Sequence, residues 1–270
     1  MKISKMLLLI VLIASLGCFV LSCDEEENGG NQNTGSCFGD GNAEDTSFVG
    51  YVQDLSSKQG ISGLTVIALD NVSGEPIEGQ EATSGTNGKV TFEGLPAGRV
   101  GFKVLGVEDN SVSGWSKLDT YQFNIRSNAD DEVLWSVAYT TYKLVLTSTG
   151  ITLDDSKAIA AGGAYWLDSG NECAEYPIGC GIAETESGEG DIRYSKDSPL
   201  PTALENQSNL SPTTGRWVAA NVTPGPVTVK VKVGGEVVGQ TTFRTYAGMA
   251  ISIGNVEADE KYTTNPGTCK

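Results

Sequence analysis

Beyond Ser47 the apolar residues of this chain fall at every second position. Val100, Phe102 and Val104 alternate with Gly101 and Lys103, and Tyr121, Phe123 and Ile125 alternate with Gln122, Asn124 and Arg126. Val227, Val229, Val231 and Val233 alternate with Thr228, Lys230 and Lys232. A period of two sends successive side chains to opposite faces, so these segments predict half-buried antiparallel strands with the apolar face inward. Turn clusters punctuate them: Asn71-Val72-Ser73-Gly74, Thr86-Asn87-Gly88, Pro96-Ala97-Gly98, Thr223-Pro224-Gly225 and Gly234-Gly235. Short strands with such punctuation predict a β-sandwich or barrel. No helical period longer than a turn or two stands out after the N-terminal region, and Leu153 to Ala161 is the one short helix candidate.

The pattern also repeats. Thr86 to Val104 aligns without gaps on Thr213 to Val231, with six of nineteen positions identical: Thr86/Thr213, Gly88/Gly215, Gly98/Gly225, Val100/Val227, Lys103/Lys230 and Val104/Val231. Val90 falls on Trp217 and Leu95 on Val222. Upstream of the copies lie comparable opening segments, GYVQDL from Gly50 and GAYWLD from Gly163, each followed by an Ile-led stretch, GISGLTVIAL and PIGCGIAETE. The four paired glycines follow turn formers and precede alternating strands, so they are expected at positive φ.

These residues carry a resemblance. Gly50-Tyr51-Val52, Ile61 to Val66, Thr86 to Phe92 and Gly94 to Gly98 resemble the carboxypeptidase regulatory-like domain, a transthyretin-like (prealbumin-like) sandwich, over about sixty residues. Val100 stands where that family carries an aromatic residue after the turn. The resemblance implies an all-β fold of two tandem seven-stranded-type, transthyretin-like (Ig-like) antiparallel sandwiches. The expected layout is 47–148 for the first, 149–158 as linker, 159–258 for the divergent second, and 259–270 as tail. Independent repeats would melt separately.

The N-terminus supplies an address. Lys2 and Lys5 precede an uncharged apolar run from Met6 to Leu21, the form of a secretory signal and too short for a comfortable span. The run ends at Val20-Leu21-Ser22-Cys23, which resembles the lipobox of bacterial lipoproteins, and Asp24-Glu25-Glu26-Glu27 follows at once. Residues 1–22 are therefore expected as a lipoprotein signal peptide, with Cys23 lipidated and 23–46 a tether; Cys18 is a poorer match. A coil of that length spans roughly 25 to 30 Å. Acyl chains at Cys23 imply membrane attachment, placing the chain in the cell envelope, facing the periplasm or the exterior.

Charge and composition narrow the chemistry. The chain has 270 residues with 18 Lys plus Arg, 34 Asp plus Glu and no His, a formal net charge of -16. Lack of imidazole excludes Ser-His-Asp and Cys-His hydrolysis and histidine-ligated zinc catalysis. The acidic balance opposes nucleic acid as a partner. In the carboxypeptidases the resembled domain carries no catalytic group, and the related hydroxyisourate hydrolases need His and a C-terminal Tyr-Arg-Gly-Ser, whereas this chain ends Asn265-Pro266-Gly267-Thr268-Cys269-Lys270. Asp40, Asn42 and Glu44 alternate like a calcium loop, but Asp45 and Tyr51 occupy the positions of its glycine and closing glutamate. No metal and no cofactor is expected, and Asp130-Asp131-Glu132 reads as a solvated loop between strands.

Cys37, Cys173, Cys180 and Cys269 remain as an even set for disulfides in an exported chain. The short separation favours Cys173 with Cys180, leaving Cys37 with Cys269, worth roughly 2–3 and 5 kcal/mol by loop entropy. Trp115, Trp135, Tyr139, Tyr142, Trp166 and Trp217 could form a sugar-stacking platform or pack the core; Trp115, in a Gly/Ser/Asp-rich stretch, is the least core-like and the one ligand-binding candidate. The function expected is a non-catalytic exported lipoprotein presenting a binding or structural surface, its partner an envelope polysaccharide or another envelope protein. A carbohydrate-binding accessory module and a His-independent envelope hydrolase are the alternatives.

Overall fold

The computed structural model describes residues 46–107, 118–168, 174–196, 201, 203, 206–248, 250–262 and 264–267. Cys23, Cys37, Trp115, Cys173, Cys269 and the Asp40 to Asp45 segment lie outside the described residues. The first half of the chain contributes β1 (Ser47–Asp54), β2 (Thr65–Asp70), β3 (Pro76–Thr83), β4 (Lys89–Glu93), β5 (Arg99–Val104), β6 (Asp119–Arg126) and β7 (Glu132–Ser136). Helix α1 (Tyr139–Thr149) leads to β8 (Ala158–Asp168), β9 (Ala174–Pro177), β10 (Ile182–Thr185), β11 (Asp191–Tyr194), β12 (Arg216–Val222), β13 (Gly225–Val233), β14 (Glu236–Thr245), β15 (Ala250–Gly254) and β16 (Val256–Glu257). The protein is an all-β sandwich protein with one α-helix and a single 3-10 turn, Thr86–Gly88, among the described residues.

Alternation makes the strands as the sequence predicts. On β13, Val227, Val229 and Val231 are buried, while Lys230 and Lys232 face outward and pair with Glu186 and Glu184 along the neighbouring β10. The strands of the two halves pair in a comparable order. In the first half β1 pairs antiparallel with β4, β2 with β5, and β5 with β6, while β7 runs parallel to β1. In the second half β8 pairs antiparallel with β12, β10 with β13, and β13 with β14, while β15 runs parallel to β8. Gly88, Gly98, Gly215 and Gly225 all have positive φ, as their turn positions require.

The two halves join through unlike sheets. β4-β1-β7 and β10-β13-β14 are separate three-stranded sheets, whereas β2-β5-β6 of the first half and β15-β8-β12 of the second run into one sheet through the parallel β6–β15 ladder. One core lies within the first half, where Phe48 and Phe102 stack at 4.4 Å beside Phe92, Val66 and Leu134. A second core combines Leu69, Tyr121 and Phe123 of the first half with Trp217, Val229 and Phe243 of the second. The third gathers Leu118, Val137, Tyr142, Ile159, Val218 and Ile251.

Two expectations need correction. Not all ladders are antiparallel: the strand closing each half crosses to the other sheet and lies parallel to the opening strand, a course that a hairpin cannot take. The helix is also not at Leu153 to Ala161, where a turn leads directly into β8. It is Tyr139–Thr149, whose only buried residues are Tyr142 and Thr149. Four of its eleven residues are Thr and no side chain caps its start, so it lacks the apolar stripe and N-cap by which helices are recognised. Gly150 ends it in the left-handed conformation, as helix C-termini favour. Among the described residues no helix is long and apolar enough to cross a membrane.

Candidate functional site

Where the two halves meet, strand periodicity builds a cavity of about 240 Å³. Ile159, Ala161, Gly163 and Tyr165 of β8 line it, while Ala160 and Ala164 turn into the second core. Val133 and Trp135 of β7 line it, while Leu134 turns into the first core. The wall is completed by Gln122, Phe123 and Ile125 of β6, Tyr142 and Val145 of α1, Arg216 to Val218 of β12, and Ile251 and Ile253 of β15. The larger part of the wall is apolar, and the polar groups are few.

Those polar groups have defined environments. Asn255 Oδ1 accepts the Gly163 N–H at 3.0 Å. Burial pushes the Tyr165 hydroxyl pKa up, opposed by the nearby Arg216 charge. Lys58, in the turn after β1, holds its Nζ 4.0 Å from the centroid of the Trp135 ring. Burial lowers the Lys58 pKa to about 8, assisted by the Arg216 charge and opposed by Asp54. Burial raises Glu132 to about 7, with the neighbouring Glu175 adding repulsion and Arg126 and Arg99 opposing it. Arg99 is itself held by Glu257 at 2.7 Å. Gln122 Nε2 and Trp217 Nε1 are buried without a hydrogen-bond partner among the described residues. Those residues are only 4% and 2% exposed, so each N–H faces the cost of an unsatisfied buried donor.

Of the aromatic candidates, Trp135, Tyr142 and Trp217 are brought to the cavity wall. Trp166 packs against the second core and donates its Nε1–H to the Tyr262 carbonyl at 2.8 Å. Tyr139 stacks on Tyr142 at 6.3 Å on the partly exposed start of α1. The rings therefore line a junction rather than a flat exposed platform. Cys180 is disulfide-bonded, and it lies beside Gly179, against which Gly267 packs so closely that a Cβ on Gly267 would sit 2.4 Å from the Gly179 carbonyl oxygen. Sequence reasoning missed Lys58, Glu132, Tyr165 and Arg216. Its polar neighbours Asp130 and Asp131 make Glu132 read as loop, yet it is the first residue of β7. The aligned counterpart of Arg216 is Lys89, which is exposed, so the repeat gave no hint of a site there.

Among the described residues a single carboxyl, Glu132, lines the cavity, where glycoside cleavage needs a pair. Among the described residues no cluster of His, Cys, Asp or Glu could hold a metal ion.

No protein-family model and no curated protein matches the sequence. Several solved structures are similar. The TIE protein of Bacillus anthracis is 10% identical with a TM-score of 0.26 over 80% of this chain and 34% of that one, so this chain spans about a third of its length. The minor pilin GBS52 of Streptococcus agalactiae is 12% identical with a TM-score of 0.24, over 78% of this chain and 96% of that one. The shaft pilin SpaA of Lactobacillus rhamnosus GG is 9% identical with a TM-score of 0.26, over 80% and 98%. Likenesses this distant carry no argument about activity, and the functional reading rests on the residues of this chain.

Proposed function

We propose that this chain is a non-catalytic lipoprotein of the cell envelope that binds a ligand in the cavity where its two β-sandwich repeats, 47–148 and 159–258, are joined. The observation that carries the binding role is that cavity: aromatic and apolar walls with Arg216 among the lining residues and Lys58 over the Trp135 ring beside it, in a chain that is otherwise strongly acidic. Its one carboxyl and the lack of imidazole support binding over hydrolysis. The resemblance of the first repeat to carboxypeptidase regulatory-like domains supports an accessory role in the same sense.

Location rests on two features of different kind. Lys2, Lys5, the apolar run and Leu21-Ser22-Cys23 have the form of a lipoprotein signal, and a disulfide at Cys180 suits an oxidising compartment. Acyl chains on Cys23 hold the acidic body at the membrane, since its charge would be repelled by an anionic leaflet. Labelling cells with a fatty-acid analogue tests this: Cys23→Ser should abolish incorporation and release the protein or leave the precursor uncleaved, whereas Cys18→Ser should change neither. Incorporation that survives the loss of Cys23 overturns the anchoring.

A further inference from the structure

Given the reading of the chain as a non-catalytic binding protein, the geometry points to a ligand class for the junction cavity: a small carboxylic acid with an aromatic or branched apolar body. Arg216 lines the cavity and makes no ion pair among the described residues, its neighbour there being the neutral Tyr165. A guanidinium presents paired donors that match a carboxylate. Lys58 adds a second positive charge near enough for Arg216 to depress its pKa. The two cations stand out in a chain with 34 acidic side chains against 18 basic ones.

The rest of the wall bears on selectivity. Asn255 Oδ1 already receives the Gly163 N–H, and Glu132 is the one carboxyl among the described lining residues. Ile159, Val218, Ile251 and Ile253 offer no partner to the hydroxyls of a sugar or sugar acid, which would be stranded against them, whereas a simple carboxylate brings a single polar group for Arg216. Those aliphatic side chains and the Trp135 ring suit a compact apolar body instead. The volume, about 240 Å³, falls below the range for drug-sized ligands and fits a smaller molecule.

The purified full chain is titrated with 3-phenylpropanoate, its neutral analogue 3-phenylpropan-1-ol, and glucuronate, read by calorimetry and by tryptophan fluorescence. The expected result is saturable binding of the acid, the alcohol at least about tenfold weaker because it lacks the charge for Arg216, and no binding of glucuronate. Arg216→Gln should remove the preference for acid over alcohol. Ala161→Phe, which fills the cavity, should abolish binding of both while the chain still melts cooperatively. No binding of the acid at millimolar concentration, equal binding of the alcohol, or tighter binding of glucuronate each overturns the assignment. If Arg216→Gln fails to fold, the comparison of acid with alcohol on the unaltered chain still decides. Turnover of a phenylpropanoate ester would instead sink the non-catalytic reading while leaving the ligand class standing.

Discussion

Gly88 offers the sharpest test of how the repeats are held. Its φ of +83° lies in the left-handed region, and a Cβ there would stand 2.2 Å from the Val52 carbonyl oxygen. That is short of ordinary contact at ~3.5 Å by more than about 1 Å, and both partners are backbone. The same carbonyl accepts the Ile61 N–H at 2.8 Å, so relieving the overlap loosens that bond. Gly88→Ala should cost about 1–2 kcal/mol for conformation and about 1–3 kcal/mol more for the strained hydrogen bond. Gly98 is the control, because its φ is +102° but nothing lies within 4 Å of its Cβ position. Gly98→Ala should therefore cost only the conformational part, about 1–2 kcal/mol. The second half repeats the contrast: a Cβ on Gly215 would stand 2.6 Å from the Ala164 carbonyl oxygen, while one on Gly225 meets nothing. Urea unfolding followed by tryptophan fluorescence measures each variant, with a common slope required for comparison. Gly88→Ala and Gly98→Ala agreeing within about 0.5 kcal/mol would refute the backbone-contact argument. Because the β6–β15 ladder and the second core tie the halves together, we expect all four variants to shift one shared transition. Two separate transitions, as independent repeats would give, would show that this seam contributes little.

Glu132→Gln should stabilise the protein at pH 8 by about 1–3 kcal/mol and leave it unchanged at pH 4. A carboxyl raised to about 7 by folding destabilises the folded state above that pH and not below its unfolded value, so stability of the unaltered chain falls as pH rises between them; equal melting shifts at both pH values would falsify the assignment. Affinity for 3-phenylpropanoate should rise from pH 9 to pH 6, since Glu132, among Glu175, Arg126 and Arg99, loses its charge while Lys58, between Arg216 and Asp54, gains its own; calorimetry showing the opposite trend would exclude both groups from the site. Peptide mapping without reduction should recover Cys180 linked to Cys173, the pairing that their short separation favours. Recovery of Cys180 joined to Cys37 or Cys269 would refute it.

What was legible in the sequence was whatever local periodicity encodes. Val100, Phe102 and Val104 are buried on β5 as their alternation requires, and the glycines common to both copies hold the positive φ their turns need. The helix escaped because Tyr139 to Thr149 is held by what packs on it rather than by an apolar stripe of its own. The cavity escaped for a different reason. A repeat predicts equivalent surfaces, but the halves are joined through β6 of one and β15 of the other, strands with unlike places in the repeat. Trp135 and Arg216 come from opposite sides of that seam, and neither has a counterpart that does the same work. Alternation can say which face of β7 or β12 a residue occupies; it cannot say that the face opposes the other repeat. The cavity is thus a product of the seam between two halves whose pairings are otherwise comparable, which is why substitutions that fill it should alter binding while those at the turns of each half alter stability.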